Sequence, residues 1–144
     1  MPETLLRWPG GKKRLVKRLL PLVPEHSVYN EPFAGGASLF FAKDPVKKEV
    51  LNDINSELID FYRKARTKNR LVCKVGGTTK EECKRTVKKK NKTPCDQIKV
   101  NRCGYMGRNT WGYGCDPSSG HKRKEPAKIV LNDSLHRLRG VTLE

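Results

Sequence analysis

The 144-residue sequence has no apolar run approaching the ~18 residues that a membrane-spanning helix requires. Its first residues, MPETLLRWPGGKK, lack the apolar stretch of a secretory signal. A cytoplasmic location is therefore expected, with no membrane partner. Cysteine is missing from residues 1–72 and 116–144. The five present, Cys73, Cys83, Cys95, Cys103 and Cys115, contain no pair at the two-residue spacing of a zinc knuckle, and their number is odd. His121 could join a cluster, but no spacing recommends it, so no metal is expected. Free, partly buried thiols suit a reducing compartment best, with a stapling disulfide or a zinc site as alternatives. Acidic residues are scarce where basic ones crowd: residues 62–124 hold 19 Lys/Arg and four Asp/Glu. Residues 1–61 carry nine and eight, and residues 125–144 three of each, so almost all of the net charge of +16 belongs to one internal segment. A block so concentrated suits a polyanion-binding surface, nucleic acid first, over the plainer reading of a solvated face.

What is present, at one domain's length, falls into an ordered pattern. After the Trp-Pro-Gly-Gly stretch at residues 8–11, Leu15, Val16, Leu19 and Leu20 share one helical face, and Pro21 and Pro24 end that helix. Residues 27–30 read as a short strand running into the glycine turn and helix of EPFAGGASLFF, residues 31–41. KEVLNDINSELIDFY, residues 48–62, reads as a strand ending near Asp53 and then a helix whose Leu58, Ile59 and Tyr62 share a face. This is a βαβ pattern, which predicts a parallel sheet with right-handed crossovers. From about residue 66 the pattern changes. Thr79 and Glu82 offer a capping box for a lysine-rich helix. Residues 98–114, rich in Gly, aromatics and Arg, suit a loop contacting an extended partner. Residues 126–140 read as one helix, opened by Pro126 and stopped by Gly140, and VTLE as the start of a further strand.

Ligands of doubly wound sheets bind beyond the carboxyl ends of the strands. The Gly35-Gly36 turn lets backbone approach a ligand there, and Asp53, at the end of the next strand, can accept hydrogen bonds from ribose hydroxyls. A glycine turn followed by an acid about twenty residues on is the logic of an adenosine-type cofactor site. Asp53 could instead serve the helix that begins near Asn55.

The segments WPGGK, EPFAGGASLFF, LNDINSEL and NRCGYMG, in this order and spacing, resemble the N-terminal portion of Dam-type adenine-N6 DNA methyltransferases. The resemblance is strong over residues 5–62, fair over 98–114 and weak over 66–97. It implies a Rossmann-like α/β fold with an incomplete sheet, and S-adenosylmethionine as cofactor. It also implies double-stranded DNA as substrate. Residue by residue, Trp8 would be a flat wall and Lys12 a cation near the methionyl end. Phe33, Gly35 and Gly36 would form the floor, and Asp53 the ribose acceptor. Asn101, Arg102, Tyr105 and Arg108, with Gly104 and Gly107, would open the DNA-recognition segment. Three regions are expected: residues 1–65 for the cofactor, 66–124 as a basic target-recognition insert, and 125–144 as a return helix and the start of the next strand.

Two departures stand out. Where the family commonly has Phe-x-Gly-x-Gly, this chain has Ala37 in the last place. No Asp-Pro-Pro-Tyr occurs in the 144 residues: Asp44-Pro45 is followed by Val46, and Asp116-Pro117 by Ser118. In the family those groups matter because the adenine amino lone pair is delocalised into the ring. The Asp and a Pro carbonyl accept its hydrogens while the Tyr stacks on the flipped base. No catalytic residue is therefore assigned here. The expectation is a truncated or split adenine-N6 methyltransferase, inactive alone, whose missing half a second chain could supply. The alternative is a non-catalytic DNA-binding protein that retains a cofactor site.

Overall fold

A computed structural model describes residues 3–75, 80–103 and 128–144. Strand β1 (Val28–Glu31) and strand β2 (Lys48–Leu51) pair in parallel, Val28 opposite Lys48 through Glu31 opposite Leu51. Helix α2 (Ser38–Ala42) lies in the crossover between them, as the βαβ pattern predicts. Strand β5 (Thr142–Leu143) joins the other side of β2, also in parallel, so the sheet order is β1-β2-β5. The VTLE segment thus opens a strand, as read from the sequence.

Because side chains alternate across a strand, Tyr29, Glu31, Glu49 and Leu51 share one face of the sheet and are buried or half-buried. Val28, Asn30 and Lys48 point the other way and are exposed. The covered face packs against α2 and against helix α3 (Ser56–Arg66), whose Leu58, Ile59, Phe61, Tyr62 and Ala65 form a buried stripe. Asn55 caps α3 by accepting the Leu58 N–H at 3.2 Å, a contact typically worth about 1 kcal/mol. The first helix is shorter than expected. α1 (Val16–Leu19) sits between 3-10 turns at Lys12–Arg14 and Leu20–Leu22. Of its expected apolar face Val16 is buried, Leu19 and Leu20 are half-buried, and Leu15 is exposed.

Strand β3 (Val72–Lys74) pairs antiparallel with strand β4 (Lys128–Val130), and helices α4 (Lys80–Lys88) and α5 (Pro94–Cys103) pack on each other, with α5 also on β3 and α3. Leu71, Cys73, Val75 and Ile98 join the same core as Leu5, Leu6, Phe40 and Leu51.

Three expectations are corrected. Residues 98–103 are helix, not loop: Thr93 caps α5, with reciprocal bonds between Thr93 and Asp96 at 3.0 and 3.1 Å, and Ile98 and Val100 are buried. Residues 128–140 are not one helix. Ile129 and Val130 are β-branched and pair with β3. Only α6 (Asn132–Arg137) is helical, burying Leu135, with Leu138 buried just beyond it. Cys73 and Cys95 are not free thiols. β3 and the first turn of α5 bring their Cα atoms to 5.2 Å, and they form a disulfide. Thr79, Pro126 and residues 104–114 lie outside the described residues.

Candidate cofactor pocket

The turn between β1 and α2 is held by backbone bonds that continue the sheet: Asn52 N–H donates to Glu31 O and Ala34 N–H to Asn52 O, both at 2.9 Å. Gly35 then takes a left-handed conformation (φ +50°) that L side chains rarely adopt. Both of its backbone groups are claimed. Its N–H donates to Asp53 Oδ2 at 2.9 Å, and its carbonyl accepts the Tyr62 hydroxyl at 2.7 Å. Tyr62 is fully buried. That burial, with the charges of Glu31 and Asp53, pushes its pKa well up, so it remains a protonated donor. Tyr62 was read from the sequence only as a core residue. A tyrosine on an otherwise apolar helix face was the available signal, since a buried hydroxyl must find a partner.

Trp8 lies against this turn. A Cβ on Gly35 would come within 2.8 Å of Trp8 Cδ1, so the indole itself requires glycine there, whereas one on Gly36 would meet Trp8 Cβ at 3.2 Å, a tight contact. A second turn, closed by Gly11 N–H to Trp8 O at 2.9 Å, leads from Trp8 to Lys12. Ala37, next in the loop, also has positive φ (49°) and is buried. The position where the resemblance calls for glycine is therefore one where glycine's freedom would be used.

Asp53 bridges the two halves of the site. Its Oδ1 accepts the Asn55 N–H at 2.9 Å, its Oδ2 holds Gly35, and its own N–H donates to Glu144 O at 3.0 Å beside β5. The cap of α3 is Asn55, and Asp53 supports it through the Asn55 N–H, so Asp53 serves the start of that helix without being its cap. Each oxygen retains a lone pair beyond the bond described. Behind the turn, Glu31 Oε1 accepts the Tyr29 hydroxyl at 2.6 Å and the Phe40 N–H at 3.0 Å. Burial raises the Glu31 pKa, against those bonds and the positive charges of Lys12 and Lys43.

All six residues expected at the cofactor, Trp8, Lys12, Phe33, Gly35, Gly36 and Asp53, line one cavity of about 220 Å³. Phe33 stands at its mouth, 81% exposed. The DNA residues fare differently. Arg102 is half-buried on α5. Asn101 is fully buried: it accepts the Arg7 N–H at 2.8 Å and donates to the Arg7 carbonyl at 2.7 Å. A side chain enclosed in this way does not lie on a DNA-facing surface, and the expected DNA contact is withdrawn for it. Tyr105 and Arg108 lie outside the described residues. On α4 and just after it, Lys84, Arg85, Lys88, Lys89 and Lys90 are exposed. Among the described residues no helix is long and apolar enough to cross a membrane.

Comparison with known proteins agrees with this geometry. Over 58 residues the chain is 48% identical to the type II methyltransferase M1.LlaDCHI of Lactococcus lactis subsp. cremoris, covering 40% of this chain and 20% of that protein. It is 38% identical over 63 residues to the type II methyltransferase M.CviBI of Paramecium bursaria Chlorella virus NC1A, covering 42% and 24%. It is 40% identical over 65 residues to the DNA adenine methylase of Vibrio cholerae serotype O1, covering 45% and 23%. The match thus spans between a fifth and a quarter of the length of these relatives. Residues 8–96, from the Trp8 wall through Asp53 to the first turn of α5, match one family throughout. The chain belongs to the D12 class N6 adenine-specific DNA methyltransferases.

Proposed function

We propose that this chain supplies the cofactor floor and part of the DNA surface of an enzyme that methylates N6 of adenine in double-stranded DNA. One observation carries the reading: six residues spread from position 8 to position 53 line a single cavity at the carboxyl ends of β1 and β2. That is where ligands of doubly wound sheets bind. The cavity suits an adenosine cofactor. Gly35 and Gly36 leave backbone on its lining, and a carboxylate and a lysine stand on its wall. S-adenosylmethionine, when bound, would supply the methyl group. Trp8 and Phe33 would hold its flat portion, Asp53 its ribose hydroxyls, and Lys12 its methionyl carboxylate.

In this reading the fold is the first part of a Rossmann-like methyltransferase domain. Residues 1–65 form the cofactor part, residues 66–124 the basic recognition insert, and residues 125–144 the return to the sheet. Lysines and arginines of the insert neutralise phosphates, which makes DNA affinity steeply salt-dependent. Arg102 and, from the family resemblance, Tyr105 and Arg108 contribute there. A cytoplasmic location accords with a DNA substrate. The groups that align and activate the adenine nitrogen are not among the 144 residues, and a further segment or a second chain supplies them.

The test is transfer of labelled methyl from S-adenosylmethionine to DNA, run beside a thermal melt with and without cofactor. The expected result is no transfer by the 144 residues alone, with a cofactor-dependent rise in melting temperature. Transfer to adenine without any added chain would refute the assignment of the missing groups. A folded protein that binds DNA and shows no cofactor shift would instead make it a DNA-binding protein without a working cofactor site.

A further inference from the structure

Asn101 comes from the basic segment of the chain, yet it ends against the wall of the cofactor pocket. Its carboxamide pairs with both backbone groups of Arg7, as a neighbouring strand would, across 94 positions of sequence. The next residue is Trp8, whose indole packs against Gly35 and whose Cβ lies beside Gly36. The segment carrying Asn101 is itself held firmly. α5 is joined to β3 by the Cys73–Cys95 disulfide at its first turn and buries Ile98 completely. Just beyond Asn101 and Arg102 the chain enters residues 104–124, the stretch that the proposed function assigns to DNA.

We propose that Asn101 is a positioning residue for the cofactor pocket. It fixes the backbone of Arg7 and thereby the Trp8 wall, and α5, pinned to β3, acts as the strut behind that wall. The inference rests on the proposed function for the identity of the ligand, but not for the position of Trp8. Asn101 is fully enclosed, so removing one of these bonds leaves a buried polar group unsatisfied on its side of the pair.

The experiment uses the whole chain in a Trp111→Phe background, so that Trp8 is the sole indole. Asn101→Asp is nearly isosteric. It keeps the acceptor for Arg7 N–H and replaces the donor to Arg7 O with a repelling oxygen. The expected result is a red shift of Trp8 emission without ligand, and cofactor binding weakened about tenfold, the effect of one buried hydrogen bond, with the melt still cooperative. Unchanged emission and unchanged affinity overturn the proposal. If the parent chain binds no S-adenosylmethionine, the proposed function falls, and the emission arm alone decides the role of Asn101. If Asn101→Asp does not fold, hydrogen exchange on the unaltered chain decides. An Arg7 amide that opens together with the α5 amides supports the strut, and one that exchanges as freely as an exposed amide overturns it.

Discussion

Ala37 shows how one residue can sit against its own backbone preference and still be tolerated. A left-handed conformation costs an L residue roughly 1–2 kcal/mol, and Ala37 pays it at φ 49°. Its methyl group is buried in the core, where one carbon contributes about 0.8 kcal/mol. Glycine would relieve the strain but lose that burial and add freedom to the unfolded chain. Ala37→Gly should therefore shift stability by no more than about 1 kcal/mol. Ala37→Val, with a branched side chain at positive φ in a full site, should lose more than about 2 kcal/mol. Denaturant melts of the two variants check this, and equal losses would mean that backbone strain does not govern the position. The contrast with Gly35 is instructive, because there the Trp8 ring leaves no room for any side chain.

At the scale of elements, α2, β2 and α6 are joined by charge inside the protein. Glu49 on β2 is buried and receives Lys43 Nζ at 2.8 Å from the end of α2 and a two-pronged contact from Arg137 on α6, one prong of which, from Nη2, is 2.7 Å. The Arg137 guanidinium also lies 4.0 Å from the centre of the Phe40 ring. Burial pushes the Glu49 carboxyl up, but bonds and charges from Arg137 and Lys43 outweigh it and hold the pKa below its ordinary value. A depressed carboxylate stabilises the fold above its unfolded pKa and loses that contribution as pH falls through the folded value. The melting temperature of the native chain should therefore exceed that of Glu49→Gln at neutral pH, and the gap should close as pH drops below the ordinary glutamate range. A gap independent of pH would show that Glu49 acts by shape alone.

The same scale shows what sequence can and cannot convey. β1, α2, β2 and α3 were legible because their signals are local: strand alternation, a glycine turn, and Asn55 before an apolar helix stripe. The Thr93-Pro94-Cys95-Asp96 capping box was equally local and marked α5, but the aromatic and glycine content that follows drew the reading toward a loop. β4 was not legible in the same way, since three residues become a strand only by pairing with Val72–Lys74. The six residues that line the pocket could be named together because each belongs to a short motif. Asn101 was misjudged because its partner is the backbone of Arg7, and nothing near it in sequence announces burial.

For the molecule as a whole, the Cys73–Cys95 disulfide ties β3 to α5 across 22 positions. Closing a loop of that size is worth about 3 kcal/mol in the chain-entropy account. Because Cys83 is disulfide-bonded as well, the Cys73→Ser, Cys95→Ser double variant isolates this bond; it should lower thermal stability by about that amount, and a melt beside the unaltered chain measures it. An unchanged melt would mean that Ile98 and the packing of α5 hold this region without the bond. If the protein works in a reducing compartment, the reduced form sets its working stability.

The bond from Asp53 N–H to the carbonyl of Glu144, and that from Glu144 N–H back to Leu51, bear on how the protein is made. Trp8, the glycine turn and Asp53 leave the ribosome before the residues that pair with β2 beside Asp53, which follow at roughly 5–20 residues per second, several seconds later. During that interval β1, α2, β2 and α3 can assemble from neighbouring sequence, but the open side of β2 has no partner. A nascent chain is therefore exposed to mispairing at β2, two residues before Asp53, and the backbone bonds beside Asp53 form only once residues 142–144 are available.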